Sequence, residues 1–285
     1  MNGMLSLAKR NIVSYFRNPG AVLGSLMAVL IVLFLFVFFL KDMLVTEQPD
    51  IPGIGHLIDS WVLAGIVGIV SVTTSAGCLQ TMIEDRTSGK DRDLLVTPLK
   101  PQSIAWGYVL STFFVAFSMS VLAFEISVAY LAATGCPMDA GDMAVSALLI
   151  VPSALSGSII VYAIVSFFRS TTLFSAFNVI LGVLIGVLAG IYMPLSMFAD
   201  SIQVIATLLP VTHRASLFRR YMCSGIPDDI FEGAPQDVID QAMADNSITL
   251  NLGDYVFTPE TSLLFVAGVT ALFFIIAVIG IRKRA

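Results

Sequence analysis

The chain has 285 residues, 57% of them hydrophobic and 12% charged, against roughly 25% charged in an ordinary soluble domain. That composition excludes a soluble globular enzyme, because the apolar residues stand in long runs rather than at amphipathic spacing. The formal net charge of -5 carries no message about nucleic acid; it sums a basic set of loops and an acidic set.

At the start of the chain, Leu5, Ala8, Ile12 and Tyr15 or Phe16 share one helical face, with Lys9, Arg10 and Arg17 around it. The pattern predicts an interfacial helix over residues 1–19, apolar stripe at headgroup level and cations snorkelling, with Pro19 at the turn into the first span. A span needs about 20 apolar residues to cross about 30 Å of hydrocarbon as a helix. Six stretches qualify: 20–40, 61–83, 104–133, 143–168, 173–193 and 262–281. The first exceeds the roughly 7–15 residues of a signal-peptide core, and no small-residue cleavage pattern follows at Lys41-Asp42-Met43. It is expected to stay attached.

An even number of spans puts both termini on one side. Placing them inside gives the inner segments eleven Lys and Arg against four outside, while fifteen of the twenty acids lie outside, and the positive-inside rule selects that orientation. Glu125 is the only formally charged side chain within the six runs. It lies about 12 Å below the outer end of the third, where it must face protein or water. Two roles fit: lining an exit cavity for a cationic cargo, or holding an outer gate through Thr212, His213 or Arg214.

Residues 84–102 mix dense charge with Leu94, Leu95, Val96 and Leu99. A solvated connector has no use for that apolar core, whereas a short helix docked in a groove of a soluble partner does; Pro98 and Pro101 end it. The fourth and fifth runs are joined by Arg169-Ser170-Thr171-Thr172 alone, so they are antiparallel neighbours. Gly182, Gly186 and Gly190 recur at four-residue spacing in the fifth, as do Gly20, Gly24 and Ala28 in the first. Small residues so repeated let helix backbones approach in lipid, within the chain or across a dimer axis. Beyond Met193, the apolar run 202–209 between Pro194 and Pro210 is too short to span and reads as a broken, re-entrant or interfacial helix on the outer side. Residues 225–261 hold eight acids and no Lys or Arg, as an exposed outer insert would, with a short helix near 236–244.

Catalytic motifs are missing. Asp91 follows Gly89-Lys90 where a P-loop needs Ser or Thr, and Glu84 stands where it needs its first glycine, so the chain is not expected to hold ATP. His56 and His213 are the only histidines, neither opens a His-Glu-x-x-His, and both fall outside the spans. No metal or cofactor is expected. Cys136 and Cys223 both fall on the outer side, and their spacing leaves a bond between them open. Two classes remain: a transport subunit driven by another protein, and a self-contained secondary transporter or channel. Coupling to an ion gradient shows as several intramembrane ionisable groups or repeated halves. One acid, no inverted repeat and a docking-type loop favour the first.

Three places resemble the ABC-2 type permeases, the membrane halves of ABC exporters. They are Lys9-Arg10-Asn11 with Arg17-Asn18-Pro19; Glu84-Asp85-Arg86 through Ser88-Gly89 to Leu94-Leu95-Val96-Thr97-Pro98-Leu99; and Pro194, Leu209-Pro210-Val211-Thr212 and Arg219. The second is the most specific, similar to an acid-Arg-acid, Gly, Leu-Leu, Thr-Pro-Leu pattern, although Thr87 stands where a second acid is common and Lys90-Asp91-Arg92 follows the glycine. The resemblance implies an all-α integral membrane protein with the ABC-2, type V exporter-like fold. Its parts would be six transmembrane helices, an amphipathic connecting helix over 4–17, a coupling helix within 84–97 and re-entrant helices within 195–222. It also implies a multi-pass protein of the bacterial inner membrane, a homodimer or a pair with a homologous permease, and two ABC ATPase subunits that use ATP and Mg. The implied cargo is a drug, a lipid-linked molecule or a peptide. Glu84, Asp85, Arg86, Gly89, Asp93, Leu94, Leu95, Thr97 and Pro98 are then the candidates for ATPase coupling. Gly20, Gly24, Gly182, Gly186 and Gly190 are those for helix packing or dimerisation, and Glu125, Pro194, Pro210, Thr212 and Arg214 those for gate or cargo.

Overall fold

The computed structural model describes residues 2–36, 53–97, 99–226, 230, 235–253 and 255–282. Helix α1 (Asn2–Arg17) is followed after Asn18 by α2 (Pro19–Leu35). Asn18 accepts the Ala21 N–H at 3.2 Å, which caps α2, and Pro19 opens it with a fixed φ. The buried face of α1 is Leu7, Ala8, Asn11 and Tyr15, whereas Leu5 and Phe16 are exposed. The expected stripe is therefore rotated, because two polar side chains find partners inside: Asn11 donates to Ser111 at 3.3 Å and the Tyr15 hydroxyl shares a 2.5 Å hydrogen bond with Ser25. Apolar periodicity cannot register such pairs.

Helix α3 (Ile54–Thr87) has 34 residues, a length of about 51 Å. It outruns the hydrocarbon, so Glu84, Asp85 and Arg86 end a continuous helix rather than begin a loop. The left-handed Gly89 (φ 78°) turns the chain, with Ser88 N–H bonded to the Glu84 carbonyl at 3.0 Å, into the six-residue α4 (Lys90–Leu95). Then come α5 (Pro101–Ala133), α6 (Ala140–Val165) and α7 (Thr171–Leu188). Asp139 caps α6 by accepting the Gly141 N–H at 2.7 Å.

Helix α7 stops five residues short of the expected span. Gly190 takes φ 65°, and the Ile191 N–H reaches back to the Gly186 carbonyl at 3.0 Å, a glycine-terminated helix end. Gly190 thus terminates the helix instead of continuing a packing stripe. A 3-10 turn (Leu195–Met197), α8 (Asp200–Thr207) and α9 (Pro210–Met222) follow, then α10 (Gln236–Asp245) and an antiparallel hairpin, β1 (Leu250–Leu252) with β2 (Tyr255–Phe257), that an all-α reading did not contain. Helix α11 (Pro259–Arg282) closes the described chain.

Among the described residues five helices are long and apolar enough to cross a membrane: α3, α5, α6, α7 and α11. Of the first expected span, α2 is described and residues 37–40 lie outside the described residues. Helix α3 is the hub, its most apolar stretch wholly buried against α2, α5, α6, α7 and α9. It accepts so many neighbours because it is lined with small residues. A Cβ on Gly68 would stand 2.8 Å from the Ala215 Cα of α9, and one on Gly157 of α6 would stand 3.0 Å from the Ser71 carbonyl oxygen. The hydroxyls of Thr74 and Ser75 donate to carbonyls four residues back, at 2.7 and 2.5 Å, so they need no partner from another helix.

Candidate functional site

At the C-terminal end of α3, the acid-Arg pair is spent inside the chain. Asp85 is buried and forms an ion pair with Arg10 of α1 while accepting the Tyr108 hydroxyl of α5 at 2.6 Å. Arg86 donates to the carbonyls of Ser166 at 3.0 Å and Phe168 at 2.8 Å, placing a cation on the carbonyl end of α6. The two side chains thereby hold α1, α5 and α6 to the helix that leads into α4. Glu84 is exposed and accepts from Gln80 at 2.8 Å. Asp93 is exposed on α4, as are Val96 and Thr97 just beyond it; the side chains of Leu94 and Leu95, and all of Pro98, lie outside the described residues.

Between α2, α3 and α7 runs a cleft of about 410 Å³. Gly20, Gly24 and Gly182 line it, and a Cβ on Gly24 would meet nothing within 4 Å. Within the described chain, then, neither Gly20 nor Gly24 stands against the backbone of another helix. Gly186 lies beneath the ring of Tyr192, which folds back so that a Cβ there would be 2.5 Å from the ring. Among the described residues, the glycines pressed most closely against another helix's backbone are Gly68 of α3 and Gly157 of α6, neither of which belongs to a four-residue glycine repeat. The density of Gly, Ser and Thr between Gly65 and Gly77 was the signal that could have found the first.

Against the N-terminal half of α3, α9 is buried along almost its whole length, with two guanidinium groups inside the protein. Arg214 donates to the Ser71 hydroxyl of α3 and the Ser153 carbonyl of α6, both at 3.0 Å. Arg219 donates to the Gly190 carbonyl at 2.7 Å and stacks over Trp61 with its central carbon 4.3 Å from the ring centre. The one ion pair among the described residues is Arg10 with Asp85, so neither Arg214 nor Arg219 is ion-paired with a described acid. Both are buried cations that pin α9 to α3, α6 and the end of α7. Thr212 joins them by donating to the Leu188 carbonyl at 2.9 Å.

Glu125 stands apart. It lies on the exposed face of α5 and has no hydrogen bond or ion pair among the described residues. Its three expected partners are engaged elsewhere: Thr212 with Leu188, Arg214 with Ser71 and Ser153, and His213 between the Thr207 carbonyl at 2.8 Å and the Ser262 hydroxyl at 3.2 Å. Pro194 and Pro210 start the 3-10 turn and α9, where a fixed φ and a missing N–H are tolerated.

The model of the ABC-2 family transporter proteins matches residues 57–279. The chain belongs to the ABC-2 transporter family. No curated protein matches it. As a member of that family it is a multi-pass membrane protein and a transporter's membrane component, with no catalytic role of its own required.

Proposed function

We propose that this ABC-2 chain is the permease subunit of an ABC exporter, working as a homodimer or beside a homologous permease with two separate ATPase subunits. Residues 20–40 supply the sixth span, both termini face the cytoplasm of a bacterium, and α8 and α9 re-enter the outer leaflet. The ATPase docks on α4 and the residues around it. Nucleotide-driven closure of the ATPases moves α4, and the Asp85 and Arg86 bonds carry that movement to α1, α5 and α6. The cleft between α2, α3 and α7 passes a hydrophobic or amphipathic cargo from the cytoplasm or inner leaflet outward, with α9 as the outer closure. ATP and Mg stay on the partner.

The observation that carries this reading is the pairing of the family match with a short helix set on the end of α3, one whose flanking Val96 is 86% exposed. An apolar side chain so exposed beside a charged helix suits a docking contact. Leu94→Asp with Leu95→Asp is expected to put charge into a desolvated interface at a cost of several kcal/mol and to abolish pull-down of the ATPase. Undiminished capture by the double variant contradicts the docking role.

A further inference from the structure

The cleft continues at one end. Gln80 and Asn178 line both it and a smaller cavity of about 90 Å³, which Glu84, Thr171 and Ser175 also line. The two adjoin where the C-terminal end of α3 meets the N-terminal end of α7. Their linings differ in chemistry. The mouth offers a carboxylate, two amides and two hydroxyls, whereas the exposed Met27, Ile31, Val179 and Val183 line the rest of the cleft as an apolar groove open along its side.

The described lining contains Glu84 and no Lys or Arg. Arg86, two residues on, is turned away onto the carbonyls that follow α6. Asn178 is half-buried within an apolar helix long enough to span, and its amide has no hydrogen bond among the described residues. A polar side chain in such a position is costly unless something polar in the cleft receives it. A carboxylate that has the Gln80 amide but no cation in the described lining, beside the free amide of Asn178 and an open apolar groove, is complementary to a cation carrying an apolar body.

We infer that the cleft and its mouth bind an amphiphile with a protonated amine head, held by Glu84 with Gln80 and Asn178, and an apolar body lying in the cleft. The inference rests on the export reading for the direction of movement, but binding itself needs no ATPase.

The test uses the full chain in phosphatidylcholine nanodiscs, with empty nanodiscs as background. A twelve-carbon amine bearing a dansyl group at its tail is displaced by unlabelled dodecylamine or by dodecanoate. Dodecylamine is expected to displace it at about tenfold lower concentration than dodecanoate. Glu84→Gln removes that preference, Glu84→Asp keeps it, and Gly24→Leu, which fills open cleft, weakens both ligands. Equal displacement in the wild type, or a preference that survives Glu84→Gln, overturns the proposal. Amine preference without ATP-driven export rejects the export reading alone, and export without amine preference rejects this site alone.

Discussion

Gly68→Leu is expected to unseat α9 from the centre of the bundle and to lower stability by about 3 kcal/mol, the upper end of typical overpacking penalties. The reason is what lies opposite. A Cβ at Gly68 would be 2.8 Å from the Cα and 2.9 Å from the backbone nitrogen of Ala215, and backbone cannot swing aside as a flexible side chain does. Gly24→Ala is the contrast. It meets nothing within 4 Å, so it should leave packing intact and favour the helix by up to about 1 kcal/mol. Thermal unfolding of the two variants in the same detergent checks the pair. A Gly68→Leu protein as stable as Gly24→Ala would mean that α3 and α9 are not in backbone contact.

Arg219→Ala is expected to release the outer end of the molecule. Hydrogen bonds from a charged donor contribute about 1.5–3 kcal/mol, the emptied volume adds a cavity term, and the Gly190 carbonyl loses its partner. Arg219→Lys keeps the charge but loses the planar fork and much of the stacking on Trp61, so it should fall between. The readout is local. Cys223 is 1% exposed and its N–H bonds the Arg219 carbonyl at 2.9 Å, so its alkylation by a membrane-impermeant maleimide, followed by mass spectrometry, reports the opening of this end. The expected order is slow for wild type, faster for Lys and fastest for Ala. Wild-type protection in Arg219→Ala would show that the cation does not hold α9 in place.

The membrane class was legible because a hydrocarbon slab imposes one length on every span: the runs at 61–83 and 104–133 are α3 and α5, with extra turns where the helices leave the lipid. The interior of the bundle was not legible. All the runs are apolar, and nothing in apolar content says which one the others surround; only the small residues of α3 do, by where they let backbones meet. The ends of α7 and α9 show two further limits. Gly190 was one more glycine in a repeat, and its left-handed turn depends on the chain reversing toward Pro194. Arg214 and Arg219 counted as outer charges, because their partners are carbonyls and a tryptophan distant in sequence. Asp85 and Arg86 were recognised as a motif, yet their role lay in Arg10, Tyr108 and the carbonyls after α6, contacts separated by many residues. Glu125 drew attention as the one charge in a span, but it stands on the exposed face of α5, and Thr212, His213 and Arg214 bond to other groups.

The central claim is that transport through this chain is powered by a separate ATPase. Proteoliposomes containing the purified chain, with and without an added ABC ATPase subunit, should be compared for movement of the dansyl-labelled amine and for ATP hydrolysis. The account predicts that the chain alone neither hydrolyses ATP nor moves the amine under an imposed proton or sodium gradient, and that the complex does both when ATP and Mg are present. Gradient-driven movement by the chain alone, at a rate the ATPase does not change, would contradict it and identify a self-contained secondary transporter.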